Sequence, residues 1–244
     1  MSVIPMTTAP ESSQLARMAV NPWFAGLPTL DQQALLASAE LMRLRPGEML
    51  FRQGDALGGF YGLLGGSMKI STLREDGREA IFVLLEPGNW FGEISLLDGQ
   101  PRTHDATALA ASEVLVVPQA AFAAQMQGAA FSAAIARLLA GRIRSLYGMV
   151  EDAALRSMRV RVVRRLLMVA RGDATLAADA RTIVPVSQES LAMMLGITRQ
   201  TLSGELKALV ALGAVALYYR RIEIVSVAKL QAMSEPGSSS LQKQ

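Results

Sequence analysis

From Pro46 onward, short apolar runs are punctuated by glycine and proline: Pro46-Gly47, Gly54-Asp55, Gly65-Gly66, Asp76-Gly77, Pro87-Gly88 and Asp98-Gly99. The runs between them, Phe60 to Leu64, Met68 to Leu73, Ala80 to Leu85 and Glu113 to Val117, have the length and residue types of strands. Asp76-Gly77 lies between two of them and predicts a hairpin turn, because glycine takes positive φ without penalty. Many short strands at this spacing predict a small barrel or jelly roll. Before it, Leu35, Leu36 and Ala39 predict a short helix over Asp31 to Met42, and residues 1–20 lack periodicity and read as a loose arm.

After Pro118 the period changes. Phe131 to Leu155 contains no proline, and Ala136, Leu139, Ile143, Leu146, Val150 and Ala153 recur at alternating spacings of three and four. This is an a/d seam on a long helix, flanked by Arg137, Arg142, Arg144 and Glu151. It either packs on its own barrel or pairs with a second copy, and the strict 3.5-residue period favours the second copy. A second helix, Met158 to Ala170, sets Val160, Val163, Leu166, Leu167 and Val169 among arginines. Beyond Gly172 come a polar connection, Asp173 to Arg181, and an extended Ile183-Val184-Pro185-Val186.

The segment from Ser187 to Lys207 has a helix-turn-helix layout. Ser187 caps a first helix that buries Leu191 and Met194, with Ala192 permitting a close crossing. Gly196 ends it, Ile197 plugs the core, and Thr198 caps a second helix that buries Leu202 and Leu206. That helix shows Arg199, Gln200, Ser203 and Lys207 outward, the groups that reach base edges and phosphates in a major groove. Tyr218 to Ile224, with Arg220-Arg221 at its turn, reads as a wing. Helix, glycine, helix is also an ordinary helical hairpin; the polar face and the wing favour DNA.

Composition narrows the chemistry. The 244 residues suffice for two modest domains, and 51% hydrophobic with 18% charged residues describes a folded chain. Zero cysteines exclude thiolate metal sites and cysteine-held clusters, and the single histidine, His104, builds no metal centre alone, so no metal and no catalytic residue is assigned. No apolar run reaches membrane-spanning length, and no signal-like start appears, so the expected location is cytoplasmic. Residues 1–150 hold 11 Lys or Arg against 13 Asp or Glu; residues 151–229 hold 12 against 7. The basic half is the candidate for a polyanionic partner.

Gly92-Glu93-Ile94-Ser95-Leu96-Leu97, followed by Pro101-Arg102-Thr103, resembles the phosphate-binding cassette of cyclic-nucleotide-binding domains. Thr198-Arg199-Gln200-Thr201 with Glu205-Leu206-Lys207 resembles the recognition helix of the catabolite activator/fumarate–nitrate regulator (Crp/Fnr) family, and the chain resembles that family over about residues 24–230. The resemblance implies an α+β fold: a cyclic-nucleotide-binding β-barrel (double-stranded β-helix or jelly roll), a long dimerisation helix and a winged helix-turn-helix. It places an N-terminal arm at 1–22, the sensor at 23–127, the dimerisation helix at 128–155, the DNA-binding domain at 156–230 and a tail at 231–244. It implies ligand contacts from Phe91, Gly92, Glu93, Ile94, Ser95, Arg102, Thr103 and Met149, with Arg102 on the cyclic phosphate and Glu93 on the ribose 2′-hydroxyl. DNA contacts fall to Ser187, Gln188, Thr198, Arg199, Gln200, Ser203, Lys207 and Arg220, and the dimer seam to Leu139, Ile143, Leu146 and Val150. The implied partners are double-stranded DNA, a cyclic-nucleotide effector, a second copy and RNA polymerase, with no cofactor and no membrane.

Two departures bear on specificity. Gly148-Met149-Val150 is apolar where cAMP-responsive members present hydroxyls to adenine, which leaves cAMP, another nucleotide such as cyclic di-GMP, or no ligand. Gly204 and Gln200 replace a base-reading arginine and a glutamate of the catabolite activator, which implies a different operator. If Glu93 and Arg102 only pair with each other, the barrel serves dimerisation alone. A cupin-like enzyme lacks the clustered histidines it would need.

Overall fold

The computed structural model describes residues 2–4, 12–174 and 181–234. The chain divides into two compact units, Met1–Arg78 with Phe82–Ile143, and Arg144–Gln244 with the short piece Glu79–Ile81. The first begins with strand β1 (Ser2–Ile4) and helices α1 (Ser12–Met18), α2 (Pro22–Ala25) and α3 (Thr29–Ala37). Strands β2 (Glu40–Leu44), β3 (Met49–Phe51), β4 (Phe60–Gly65), β5 (Met68–Leu73), β6 (Glu79–Leu85) and β7 (Trp90–Phe91) follow. Then come α4 (Glu93–Asp98), β8 (Asp105–Ala108), β9 (Ser112–Val117), α5 (Gln119–Gln125) and the long α6 (Ala129–Leu155).

The strands form two sheets, ordered β1-β2-β9-β4-β7 and β3-β8-β5-β6. Their non-sequential order, with antiparallel pairs such as Leu41 with Leu115 and Lys69 with Thr107, is that of a jelly roll. Gly77 has φ 80° in the turn between β5 and β6, where its N–H bonds the Arg74 carbonyl at 2.9 Å. The barrel closes on an aromatic core. Trp90 stacks between Phe24 (5.6 Å) and Phe60 (5.1 Å), while Phe122 and Phe131 meet edge to face at 5.8 Å. These rings are essentially buried, each worth about 1.5–3 kcal/mol. The Trp23 indole N–H donates to the Ala134 carbonyl at 2.8 Å and so pins α2 to α6.

Two expectations need correction here. The helix expected over Asp31 to Met42 stops at Ala37, and Met42 belongs to β2, where alternate side chains share a face and so bury Met42 and Leu44 together. Residues 12–20 are not a loose arm: α1 places Met18 at zero exposure in the aromatic core, and Asn21 caps α2 by accepting from Trp23 N–H at 2.9 Å. Of the remaining expected arm, residues 5–11 lie outside the described residues.

In the second unit, α7 (Met158–Ala170) leads to β10 (Ile183–Val184), α8 (Gln188–Leu195), α9 (Arg199–Ala211), β11 (Val215–Tyr218), β12 (Arg221–Ile224) and α10 (Val227–Ser234). Residues 175–180 of the expected polar connection and 235–244 of the expected tail lie outside the described residues. The tail's first residues continue α10, anchored by the buried Leu230. Strands β10, β12 and β11 pair antiparallel in that order beside a core of Val162, Val163, Leu166, Leu191, Leu202, Leu206 and Leu209. Among the described residues no helix is long and apolar enough to cross a membrane.

Candidate ligand site and nucleic-acid interface

The cassette starts where β7 ends. Gly92, at φ 92°, turns the chain from β7 into α4, and a Cβ there would stand 2.7 Å from the Tyr61 ring and 3.1 Å from Arg102 Nη1. Only glycine lets the Arg102 guanidinium approach this backbone. That guanidinium is 3% exposed and donates from Nη1 to the Gly92 carbonyl (2.7 Å) and from Nη2 to the Gly59 carbonyl (2.8 Å). It lies 4.6 Å from the Phe51 ring centroid and 5.2 Å from that of Tyr61, within cation–π range. Its Nε is buried without a hydrogen-bond partner, and among the described residues it makes no ion pair.

Glu93 does not pair with Arg102. Its carboxylate, fully buried, accepts from Nη1 of Arg142 on α6, whose Nη2 also donates to the Trp90 carbonyl. One carboxylate oxygen, Oε2, is left without a partner. A buried carboxylate is costly unless paired, and Arg142, 49 residues away in the chain, supplies the charge. The other cassette residues divide by exposure. Phe91 is buried against Tyr61 and Phe51; Ser95 is buried with Oγ donating to the Pro101 carbonyl at 3.3 Å. Ile94 (40% exposed) and Thr103 face outward. Met149, in the second unit, accepts through its sulfur from Arg165 Nη1 at 3.5 Å. Sequence reading missed Phe51, Gly58, Gly59, Tyr61 and Arg142. The closely spaced glycines 58 and 59 were the available signal, whereas nothing local marks Arg142.

His104 follows the cassette and packs its ring on Phe82 at 4.6 Å. Burial holds its pKa below the ordinary histidine value, with Asp105 opposing. Among the described residues no group of His, Asp and Glu is placed to hold a metal ion.

In the second unit, Ser187 accepts from Ser190 N–H at 3.0 Å and Thr198 from Thr201 N–H at 3.1 Å. Each cap is worth about 1 kcal/mol, so both hydroxyls already serve the fold. Between them Gly196 turns the chain at φ 64°. Contrary to expectation Leu195, not Met194, is the buried partner of Leu191, because the four-residue helical repeat returns position 195 to the face of 191. Ile197, expected to plug the core, is half-buried. Arg199, Gln200 and Lys207 are exposed, Ser203 and Gln188 half-buried. Arg220 is exposed at the turn of the β11–β12 hairpin with φ 56°, and Arg221 lies over the Tyr218 ring at 4.8 Å.

The arginines of α7 are committed within the unit. Arg159 pairs with Glu205 (2.9 Å), Arg161 donates to the Leu195 carbonyl at the end of α8 (2.8 Å), Arg164 pairs with Asp152 (2.9 Å) and Arg165 with Asp173 (3.0 Å). Among the described residues of the basic half, Arg171, Arg199, Lys207 and Arg220 make no ion pair. Of these, Arg199 and Lys207 lie on α9, Arg220 at the turn of the β11–β12 hairpin and Arg171 at the C-terminal end of α7.

Comparison with known proteins follows the same division. The family model "Cyclic nucleotide-binding domain" matches residues 41–128, and "Crp-like helix-turn-helix domain" matches residues 160–233. The chain is 31% identical to a global nitrogen regulator of Nostoc sp. over 179 residues, 72% of this chain and 80% of that protein. It is 28% identical to a cyclic AMP receptor protein of Thermus thermophilus over 215 residues, 88% of this chain and 97% of that protein. The structure of FixK2 from Bradyrhizobium japonicum has the same fold, with TM-score 0.71 at 20% identity, covering 82% of this chain and 98% of that one. These are relatives that regulate transcription, not enzymes, and the helix-turn-helix is a DNA-binding one. With a nucleotide-binding-type barrel followed by this reading head, the chain belongs to the Crp/Fnr family of transcription regulators.

Proposed function

We propose that the barrel takes a cyclic nucleotide, cAMP or another such as cyclic di-GMP, and that this ligand modulates how a homodimer holds DNA. The observation that carries the ligand reading is Arg102: a guanidinium 3% exposed that makes no ion pair among the described residues. A buried cation without a counter-charge costs several kcal/mol, and a phosphate supplies that charge in a geometry a guanidinium matches. The unpartnered Oε2 of Glu93, a residue close to Arg102 in the chain, is an acceptor suited to a ribose hydroxyl. The Thermus relative's name, cyclic AMP receptor protein, agrees with this chemistry.

On α6, Ile143, Leu146 and Val150 are 49%, 51% and 65% exposed, with Leu139 half-buried. Apolar side chains at a/d spacing on one exposed helix are matched by the same helix of a second copy. The dimer then presents two α9 helices one DNA turn apart, with Arg199, Gln200 and Ser203 toward base edges and Lys207 and Arg220 toward phosphates. The stretch from Glu151 to Arg156 serves as the hinge. RNA polymerase is the expected protein partner, in the cytoplasm.

A second reading has its own support. Arg102 Nη groups are held by two carbonyls and Glu93 is held by Arg142, a set of contacts that suits a barrel needing no ligand. Isothermal titration with cAMP, cGMP and cyclic di-GMP separates the two. Micromolar binding of one nucleotide, weakened at least about a hundredfold in Arg102→Ala, is the expected result. No heat from any of them establishes the ligand-independent reading.

A further inference from the structure

His104 is the chain's only histidine, and the strand register directs it to the inside of the barrel. On β8, side chains two residues apart share a face. Ala106 and Ala108 are buried, and Ala106 stands opposite Ile70 of β5 and Phe51 of β3. Directly opposite residues lie on one face, and Phe51 is the ring beneath the Arg102 guanidinium, so this face lines the interior. The Arg74–Arg78 hairpin bond sets β6 so that Phe82 stands across from Ile70, on that same face. His104 precedes β8 by one residue, has the parity of Ala106, and packs its ring on Phe82 at 4.6 Å and 60°.

The imidazole is half-buried and makes no hydrogen bond or ion pair among the described residues. It is therefore an uncommitted donor and acceptor on the wall that carries Arg102, and the two residues between them span at most about 7 Å of chain. Few charges face it. Phe82 is uncharged, as is Thr72, which the β5–β8 register brings across from His104. Burial disfavours the imidazolium, and Asp105, the next residue, opposes that more weakly, so the ring stays neutral to lower pH than an ordinary histidine. Arg102 is the other charged group on this face. An anion drawn in by Arg102 changes the balance, because it offsets the guanidinium and offers an acceptor to a protonated ring.

We propose that His104 is a second ligand-binding residue of the barrel, which takes up a proton as a nucleotide phosphate settles on Arg102. The imidazolium then donates a charge-assisted hydrogen bond to the anionic ligand. Binding tightens as pH falls, because the complex holds one more proton than protein and ligand hold apart. The proposal rests on reading Arg102 as the phosphate site.

A single histidine makes the test direct, since isotope-labelled histidine gives one imidazole signal in the NMR spectrum of the full-length protein. Its titration is followed over about pH 5 to 8, free and saturated with cAMP, cGMP or cyclic di-GMP, whose phosphodiesters stay ionised throughout. The midpoint should move upward in the complex, and calorimetry in two buffers of different ionisation heat should show net proton uptake. Affinity should rise by up to about tenfold per pH unit between the two midpoints. In His104→Gln both the proton uptake and the pH slope should vanish. A midpoint unmoved or lowered by a nucleotide that binds, or proton uptake undiminished in His104→Gln, overturns the proposal. Failure of all three nucleotides to bind at any pH removes the ligand reading on which it stands.

Discussion

Arg142 is the residue that lets Glu93 be buried. The carboxylate is fully enclosed, and the only cation beside it among the described residues comes from α6. Arg142→Leu should therefore destabilise the protein by about 3 kcal/mol in urea denaturation, and adding Glu93→Gln should recover most of it. Equal loss in the single and double variants would show that Arg142 acts through packing alone. His104 belongs to the same scale. Its pKa lies below its unfolded value because burial disfavours the imidazolium, so the unfolded chain binds the proton more readily. Stability from this group is complete above the unfolded value near 6.5 and is lost as pH falls through the lower folded value. His104→Gln should flatten the loss of stability as pH falls below about 6.5, read by denaturation at each pH; an unchanged slope removes His104 as its source. Glu93 and Arg102 were legible because their motif spans ten residues of contiguous chain. Arg142, Tyr61 and Gly59 were not, since only the folded barrel brings distant segments to the same guanidinium and carboxylate.

At the scale of elements, period and punctuation identified β4, β5, β6 and β9 of the barrel, α7 and both helices of the reading head. They failed where one feature was local and the competing one tertiary. Leu35, Leu36 and Ala39 look like a helix face that could run to Met42, yet β2 takes its register from β9, a strand seventy residues later. The helix α1 has too short a pattern to announce it, because only Met18, with the half-buried Leu15 one turn before it, anchors it among rings contributed by other elements. The α6 seam shows the opposite case, a clear pattern whose proposed partner is a second copy. Leu146→Asp with Val150→Asp should convert a dimer to monomers in analytical ultracentrifugation while leaving the melting of the barrel in place, because both side chains are exposed in the single chain. A variant that remains dimeric would move the interface elsewhere.

For the whole molecule, the charge asymmetry between the halves points to the second unit, and the proposed DNA contacts on α9 and the wing lie inside it. Arg159, Arg161, Arg164 and Arg165 are engaged inside the second unit, whereas Arg199 and Lys207 on α9 and Arg220 in the wing make no ion pair among the described residues and are the proposed contacts to DNA. Composition counts charges but not their partners, so it marked the basic half alone, while the outward residues of α9 and the wing were legible only through the helix-turn-helix pattern. The account joins two statements, that Arg102 holds a ligand phosphate and that this ligand changes DNA binding. The measurement that tests both is fluorescence anisotropy with a selected duplex, with and without each cyclic nucleotide, on wild-type protein and Arg102→Ala. The account predicts that one nucleotide shifts wild-type affinity by about fivefold or more, and that the shift vanishes in the variant. Tight, sequence-selective binding that no nucleotide alters would contradict it and leave a regulator whose barrel carries no signal.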